Sequence, residues 1–199
     1  VWRRSHTVNV QIDAPAGVDT RRFEVTGSNG WPGSPLQDAL SSNDQDVNLG
    51  SRTGVYHLHA RVVDDLGSDD DVSSGEFWLD NTAPSVSASN AAASWASSQK
   101  SATISASDSH SGLDRVAYRW NSALNGDCSN GNAVSNGDVV SAPQGDNTLY
   151  VCARDDVGNV GTWSGTYRWK YPVEILSFES LPNETNANQF VDYELLVED

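Results

Sequence analysis

The sequence predicts an all-β fold laid out as sandwiches in series, and three observations carry that prediction. Apolar and polar residues alternate with a period of two in segment after segment, as in Val8, Val10 and Ile12 or in Tyr56, Leu58, Ala60 and Val62. Gly, Ser, Asn and Asp cluster between those segments, where strands need tight turns, and the chain has no Met. Four blocks of residues also recur in one order along the 199-residue chain.

Gly17-Val18-Asp19, followed by Phe23 and Val25, returns as Gly112-Leu113-Asp114, followed by Tyr118 and Trp120, at a shift of 95 residues. Upstream, Val8, Val10 and Ile12 return as Ala102, Ile104 and Ala106 at a shift of 94, so one residue is inserted between strand and turn. The stretch from Leu58 to Gly67 returns from Leu149 to Gly158 at a shift of 91, and Ser74-Gly75-Glu76-Phe77 returns as Ser164-Gly165-Thr166-Tyr167 at 90. Each unit closes on a strand followed by a proline, first at Leu79 to Pro84 and then at Trp169 to Pro172. The boundaries expected are therefore 1–83, with an opening strand partly missing unless Val1 to Arg4 supplies it, 84–170, and 171–199 as the start of a third repeat. In that third segment Val173 to Phe178 and Phe190 to Leu196 are the expected strands.

Alternation also sorts the faces, because successive side chains on a strand point to opposite sides. Tyr56, Leu58, Ala60, Val62, Val8, Val10, Ile12, Phe23, Val25, Phe77 and Leu79 are expected inside the first sandwich. Ile104, Val116, Tyr118, Trp120, Leu149, Val151, Tyr167 and Trp169 are expected inside the second. Units of this size bury only about two-thirds of their chain surface, which favours small separate cores over one large globule.

With 12 basic against 27 acidic side chains, the formal charge of −15 repels phosphate backbones and anionic headgroups. Nucleic acid and membrane surfaces are thereby argued against as partners. Apolar runs are only a few residues long, and the opening VWRRSHTVNV lacks the apolar core of a secretion signal, so any signal or anchor is expected outside this segment.

Phe77-Trp78-Leu79-Asp80-Asn81-Thr82-Ala83-Pro84 resembles the "strand, then D-x-T-A-P" junction between bacterial Ig-like repeats. Asp108-Ser109-His110-Ser111-Gly112-Leu113 resembles that family's "D-x-x-S-G-(V/L)" turn, and Ala153 to Asn159 its "A-x-D-x-x-G-N" strand ending; the first unit departs from the latter, with Ser68 where Asn159 stands. The resemblance covers nearly the whole chain. It implies tandem immunoglobulin-like Greek-key sandwiches from large secreted or surface-anchored proteins, where such repeats form stalks, adhesive arms, or spacers beside catalytic modules. It names no ligand. Asp80-Asn81 before Ala83-Pro84 is also similar to the cadherin interdomain linker, although the other acidic motifs of that calcium site have no match here.

Cys128 and Cys152 are the sharpest pair of candidate site residues. Leu149, Val151 and Ala153 face inward, so Cys152 points outward, and a disulfide to Cys128 would pin the long loop after the third strand onto the outer face of the sheet. Two separate thiols are the alternative; a disulfide would suit an oxidising, extracellular or cell-surface location.

Calcium needs several oxygen ligands converging from a tight loop, and two acidic stretches are candidates. Asp44, Asp46 and Asn48 have the opening spacing of a calcium loop, but Gly50 falls one place late and Val55 replaces the closing glutamate, which excludes an EF-hand. Asp64, Asp65, Asp69, Asp70 and Asp71 crowd one predicted turn, where a bound cation or simple solvation would relieve their repulsion. Asp80 joins these as a candidate from the linker.

His57 and His59 are expected as exposed histidines on one outward face, without a third metal ligand. Asp108, Ser109, His110 and Ser111 hold triad-type residues, but neighbours in one loop seldom reach triad geometry. Lys100 and Lys170 offer no evident crosslink partner. Seven tryptophans include Trp120 and Trp169 on core faces, and Trp2, Trp31, Trp78, Trp95 and Trp163 at outward or loop positions, where an aromatic face suits a sugar ring or a neighbouring repeat. The expectation is a non-enzymatic structural or adhesive segment, with neighbouring repeats and a cell-surface protein or glycan as partners. The alternative is an accessory module of a secreted hydrolase.

Overall fold

Alternation resolves into fifteen strands, with no helix among the described residues. The computed structural model describes residues 1–27, 30–32 and 36–173. The strands expected between Val173 and Phe178 and between Phe190 and Leu196 therefore lie outside the described residues, apart from Val173 itself, which is irregular.

The first seven strands are β1 (Thr7–Gln11), β2 (Thr20–Thr26), β3 (Asp38–Ala39), β4 (Asp44–Asn48), β5 (Gly54–Val63), β6 (Asp69–Ser73) and β7 (Phe77–Leu79). β1 and β4 form one antiparallel sheet. The facing sheet runs β3-β2-β5-β6, and β7 continues along β5 beyond the break after β6. Between them lie Val10, Leu40, Val47, Leu49, Leu58, Ala60 and Leu79, flanked by Val8, Ile12, Phe23, Val25, Tyr56 and Phe77. Leu40, Val47 and Leu49 were not legible as core, because they sit in or beside strands too short for alternation to register.

The second set is β8 (Ser85–Ala88), β9 (Ala92–Ala96), β10 (Ser101–Ser107), β11 (Leu113–Trp120), β12 (Asn132–Val134), β13 (Val139–Ser141), β14 (Gly145–Asp155) and β15 (Val160–Trp169). One sheet is ordered β13-β10-β8 and the other β12-β11-β14-β15-β9, with β9 parallel to β15. The opening strand is thus shared between two sheets, and both units are immunoglobulin-like sandwiches. All eight residues expected inside this sandwich pack in its core. Tyr167 is fully buried, stands edge-on to Trp120 at 5.3 Å, and donates its hydroxyl to the Ser89 carbonyl at 2.5 Å. Burial pushes that phenol up to about 12. Each such large apolar side chain contributes about 1.5–3 kcal/mol by leaving water.

The two units repeat in detail. Arg3 bridges Leu79 in parallel, as Ala96 pairs with Trp169, and Asp80 N–H donates to Arg3 O as Lys170 N–H donates to Ala96 O. Arg3 therefore takes the place that Ala96 of β9 holds in the second unit. Gly17 and Gly112 both adopt left-handed φ angles, +93° and +89°, which the tight turn before β2 and β11 requires.

Candidate metal centre between the two sandwiches

Asp80 leaves β7 at the point where the first sandwich ends. Its own backbone is fixed by Arg3, and the next residue is tied back by two bonds from Asn81 Nδ2, to Arg4 O at 2.7 Å and Arg52 O at 2.8 Å. The linker is thus held as part of the first unit, while its carboxylate reaches the second. Asp80 Oδ2 accepts the Ser111 N–H at 3.0 Å, and Oδ1 accepts that of Thr82 at 3.0 Å. Burial raises this carboxyl, the Ser111 and Thr82 donors and nearby His110 lower it, and the balance holds Asp80 below the ordinary value of 3.8.

Asp155 ends β14. Its Oδ1 accepts the N–H groups of Val157 and Asn159, and its Oδ2 accepts Asn159 Nδ2 at 2.8 Å. Asn159 Nδ2 also donates to Asp80 O, so one amide ties the turn to the linker. Asp108, in the loop between β10 and β11, accepts the N–H groups of His110 and Gly112 on Oδ1. Its Oδ2 is buried and has no hydrogen-bond partner.

One oxygen from each of Asp80, Asp108 and Asp155 lies within 4.8 Å of the other two. Asp80 and Asp155 are 0% and 1% exposed. Carboxylates this close and this dry repel one another strongly, at about 3 kcal/mol per pair for an effective dielectric near 20. His110 Nδ1 stands 4.0 Å from Asp80 Oδ1. An all-oxygen donor set, with one oxygen otherwise unsatisfied, fits a hard divalent cation, and calcium with its six to eight oxygens best. Around it, Trp2 packs edge-on against Trp78 at 5.2 Å and His110 at 5.4 Å, closing the side of the junction.

Of the residues singled out from sequence as calcium ligands, only Asp80 is in this cluster. Asp44, Asp46 and Asn48 lie on the exposed face of β4 rather than in a loop. Asn9 Nδ2 donates to both carboxylates, at 2.8 and 3.0 Å, and Asn48 Oδ1 accepts the Gly50 N–H. Asp64 caps its turn by accepting from Leu66 and Ser68, and the carboxylate of Asp65 lies over Gly17. The expected crowded turn is a correction: Asp69, Asp70 and Asp71 belong to β6, where Asp69 and Asp71 flank Arg61. Asp108 and Asp155 were missed as ligands because they sit 47 residues apart in the chain and only the fold joins them to Asp80. The "D-x-x-S-G" and "D-x-x-G-N" motifs were the available signal.

The expectation for His57 and His59 is also corrected. They are 7% and 0% exposed, and the loop after β2 lays Trp31 edge-on against His59 at 5.6 Å. His59 bonds Thr26 and Ser73 through its two ring nitrogens. Ser109 Oγ lies 2.9 Å from His110 Nδ1, an exposed contact of adjacent residues. Lys100 donates to Ser94 O, and Lys170 stands over the Trp95 ring. Cys128 and Cys152 form the disulfide, with Cα atoms 5.7 Å apart, and seal a small cluster with Ala117, Leu124 and Val160 on the outer face of β11 and β14.

Among the described residues no helix is long and apolar enough to cross a membrane. No family model matches the chain, and no curated protein does. Among solved structures, Clostridium thermocellum CbhA fibronectin(III)-like modules are similar at 15% identity and a TM-score of 0.33, over 84% of this chain and 88% of that one.

Proposed function

We propose that this chain is a non-catalytic structural segment of a larger extracellular or cell-surface protein, a stalk or spacer whose junction is stiffened by calcium. Its units are 1–83 and 84–170, with a third beginning at 171. The observation that carries the proposal is the cluster of buried Asp80 and Asp155 with half-buried Asp108, one ligand from the linker and two from the following sandwich. A cation held there would join the end of the last strand of one unit to two turns of the next, β10–β11 and β14–β15. The disulfide on the outer face of the second sandwich fits an oxidising, extracellular setting. Adhesion would be the task of a tip or surface carried by such a stalk.

Isothermal titration of the chelator-treated chain with calcium chloride, paired with solution scattering, tests this. One strong site, and a narrower distribution of end-to-end lengths with calcium, is the expected result. Absence of calcium binding, or binding retained by the triple Asn variant of the three carboxylates, would remove the stiffening mechanism.

A further inference from the structure

On the second sandwich, a groove of about 340 Å³ runs along the outer face of β14 and β15, lined on that side by Ala123, Leu124, Tyr150, Thr162 and Ser164, while Trp163 at its edge packs against the core. Its construction follows from register. Tyr150 pairs with Ser164 and Cys152 with Thr162, so the phenol and two hydroxyls share the solvent-facing side of one ladder. Cys152 anchors the loop after β11 through Cys128, and Leu124 from that loop packs over the disulfide, so the loop stands as a fixed wall beside Tyr150. The floor belongs to paired strands and the wall is covalently tied; the groove is preformed.

Its lining carries no charged side chain, although the chain carries −15 overall. Arginines flanking the ladder are closed into pairs, Arg154 with Asp114 and Arg168 with Asp146. An uncharged trough with an aromatic face, aliphatic wall and hydroxyls on one side suits a neutral polyhydroxylated ligand, and its volume falls in the ~300–1,000 Å³ range of small-ligand sites. Aromatic faces meet the apolar C–H face of a sugar ring while the hydroxyls exchange hydrogen bonds with its rim. We infer that this groove binds a neutral oligosaccharide, one or two rings at a time. The site is separate from the junction and does not depend on calcium being bound there. With hydroxyls as its only polar groups, the affinity expected is on the order of 1 mM.

The test is titration of the isotope-labelled full chain with cellotetraose, maltotetraose, xylotetraose and, as an acidic control, trigalacturonate, followed by amide NMR. Expected are saturable shifts confined to residues 121–131, 150–152 and 160–165 with at least one neutral sugar. Tyr150→Ala should weaken binding about tenfold, and Thr162→Val, which preserves shape, severalfold, while Trp95→Ala should leave it unchanged. Should Tyr150→Ala unfold, Thr162→Val and reduction of the disulfide still read the same site. No shifts with any neutral sugar, preference for trigalacturonate, or shifts centred on the exposed Trp95 and Tyr171 would each overturn the assignment.

Discussion

Replacing Asp108 by Asn separates two roles of the junction cluster with opposite signs. The asparagine keeps an Oδ1 acceptor for the N–H groups of His110 and Gly112, and it puts an N–H donor in place of the buried, unpartnered Oδ2 of a carboxylate that stands beside two others. Without a cation the substitution removes two like-charge contacts of about 3 kcal/mol each before relaxation and screening. A net gain of about 2 kcal/mol is expected, which for a unit of this size raises Tm by roughly 10 °C. In calcium the order reverses. Wild type gains about 2.7 kcal/mol when the cation stands at a hundred times its dissociation constant, while the variant, short of a ligand, gains little. Calorimetry of both proteins in chelator and in excess calcium gives the four melting temperatures, and Trp120 and Trp169, in the core of the second sandwich, assign the transition by fluorescence. A variant less stable than wild type in chelator, or one with an undiminished calcium response, would refute the electrostatic reasoning.

Three other outcomes are expected. Cys128→Ser with Cys152→Ser opens a loop with a sequence separation of 24, which chain entropy values at about 3 kcal/mol, and urea titration should show the loss in the second sandwich alone. Folding raises the Tyr167 phenol from 10.0 to about 12, so its contribution is complete below pH 10 and disappears as pH rises through about 12. That amounts to about 3 kcal/mol, and alkaline titration of Tyr167→Phe should show a correspondingly flatter decline. Gly161→Ala would place a Cβ 2.0 Å from the Pro84 carbonyl oxygen, so the start of β8 must shift; a loss of about 2 kcal/mol and faster amide exchange across β8 and β10 are expected.

The parts of the fold written in the sequence were those governed by local periodicity. Period-two alternation placed Leu149, Val151, Tyr167 and Trp169 inside, and the shift between repeats aligned Gly17 with Gly112 before either φ angle was known. Alternation says which side of a strand a residue occupies, not what lies over that side. For this reason His57 and His59 were placed on the outward face of β5 but not beneath Trp31, which arrives from a separate loop. The acidic residues failed similarly. Density along the chain drew attention to Asp69, Asp70 and Asp71, yet neighbours on an exposed strand diverge, and Arg61 compensates two of them. Convergence arises from residues distant in sequence, which only the closing of one sandwich against the linker of another brings together.

The departure between the two copies explains why one turn acquired a partner and the other did not. Asp64 and Asp155 fold the same turn, each accepting N–H groups two and four residues on through Oδ1. In the first copy residue 68 is Ser, and the bonds of Asp64 stay within its own turn. Asn159 has an amide long enough to reach both Asp155 Oδ2 and the carbonyl of Asp80, so it converts a local turn into an attachment for the preceding unit. Downstream, the residue in the place of Asp80 is Lys170, which stands over Trp95. A lysine at that position brings the wrong charge for a cation and the right one for an aromatic face. Asn159→Ser therefore isolates the attachment: it should leave the Asp155 turn folded, as Ser68 does for Asp64, while loosening Trp2 and Trp78 at the junction. Unchanged fluorescence from those two rings in the variant would show that the linker is held without that amide.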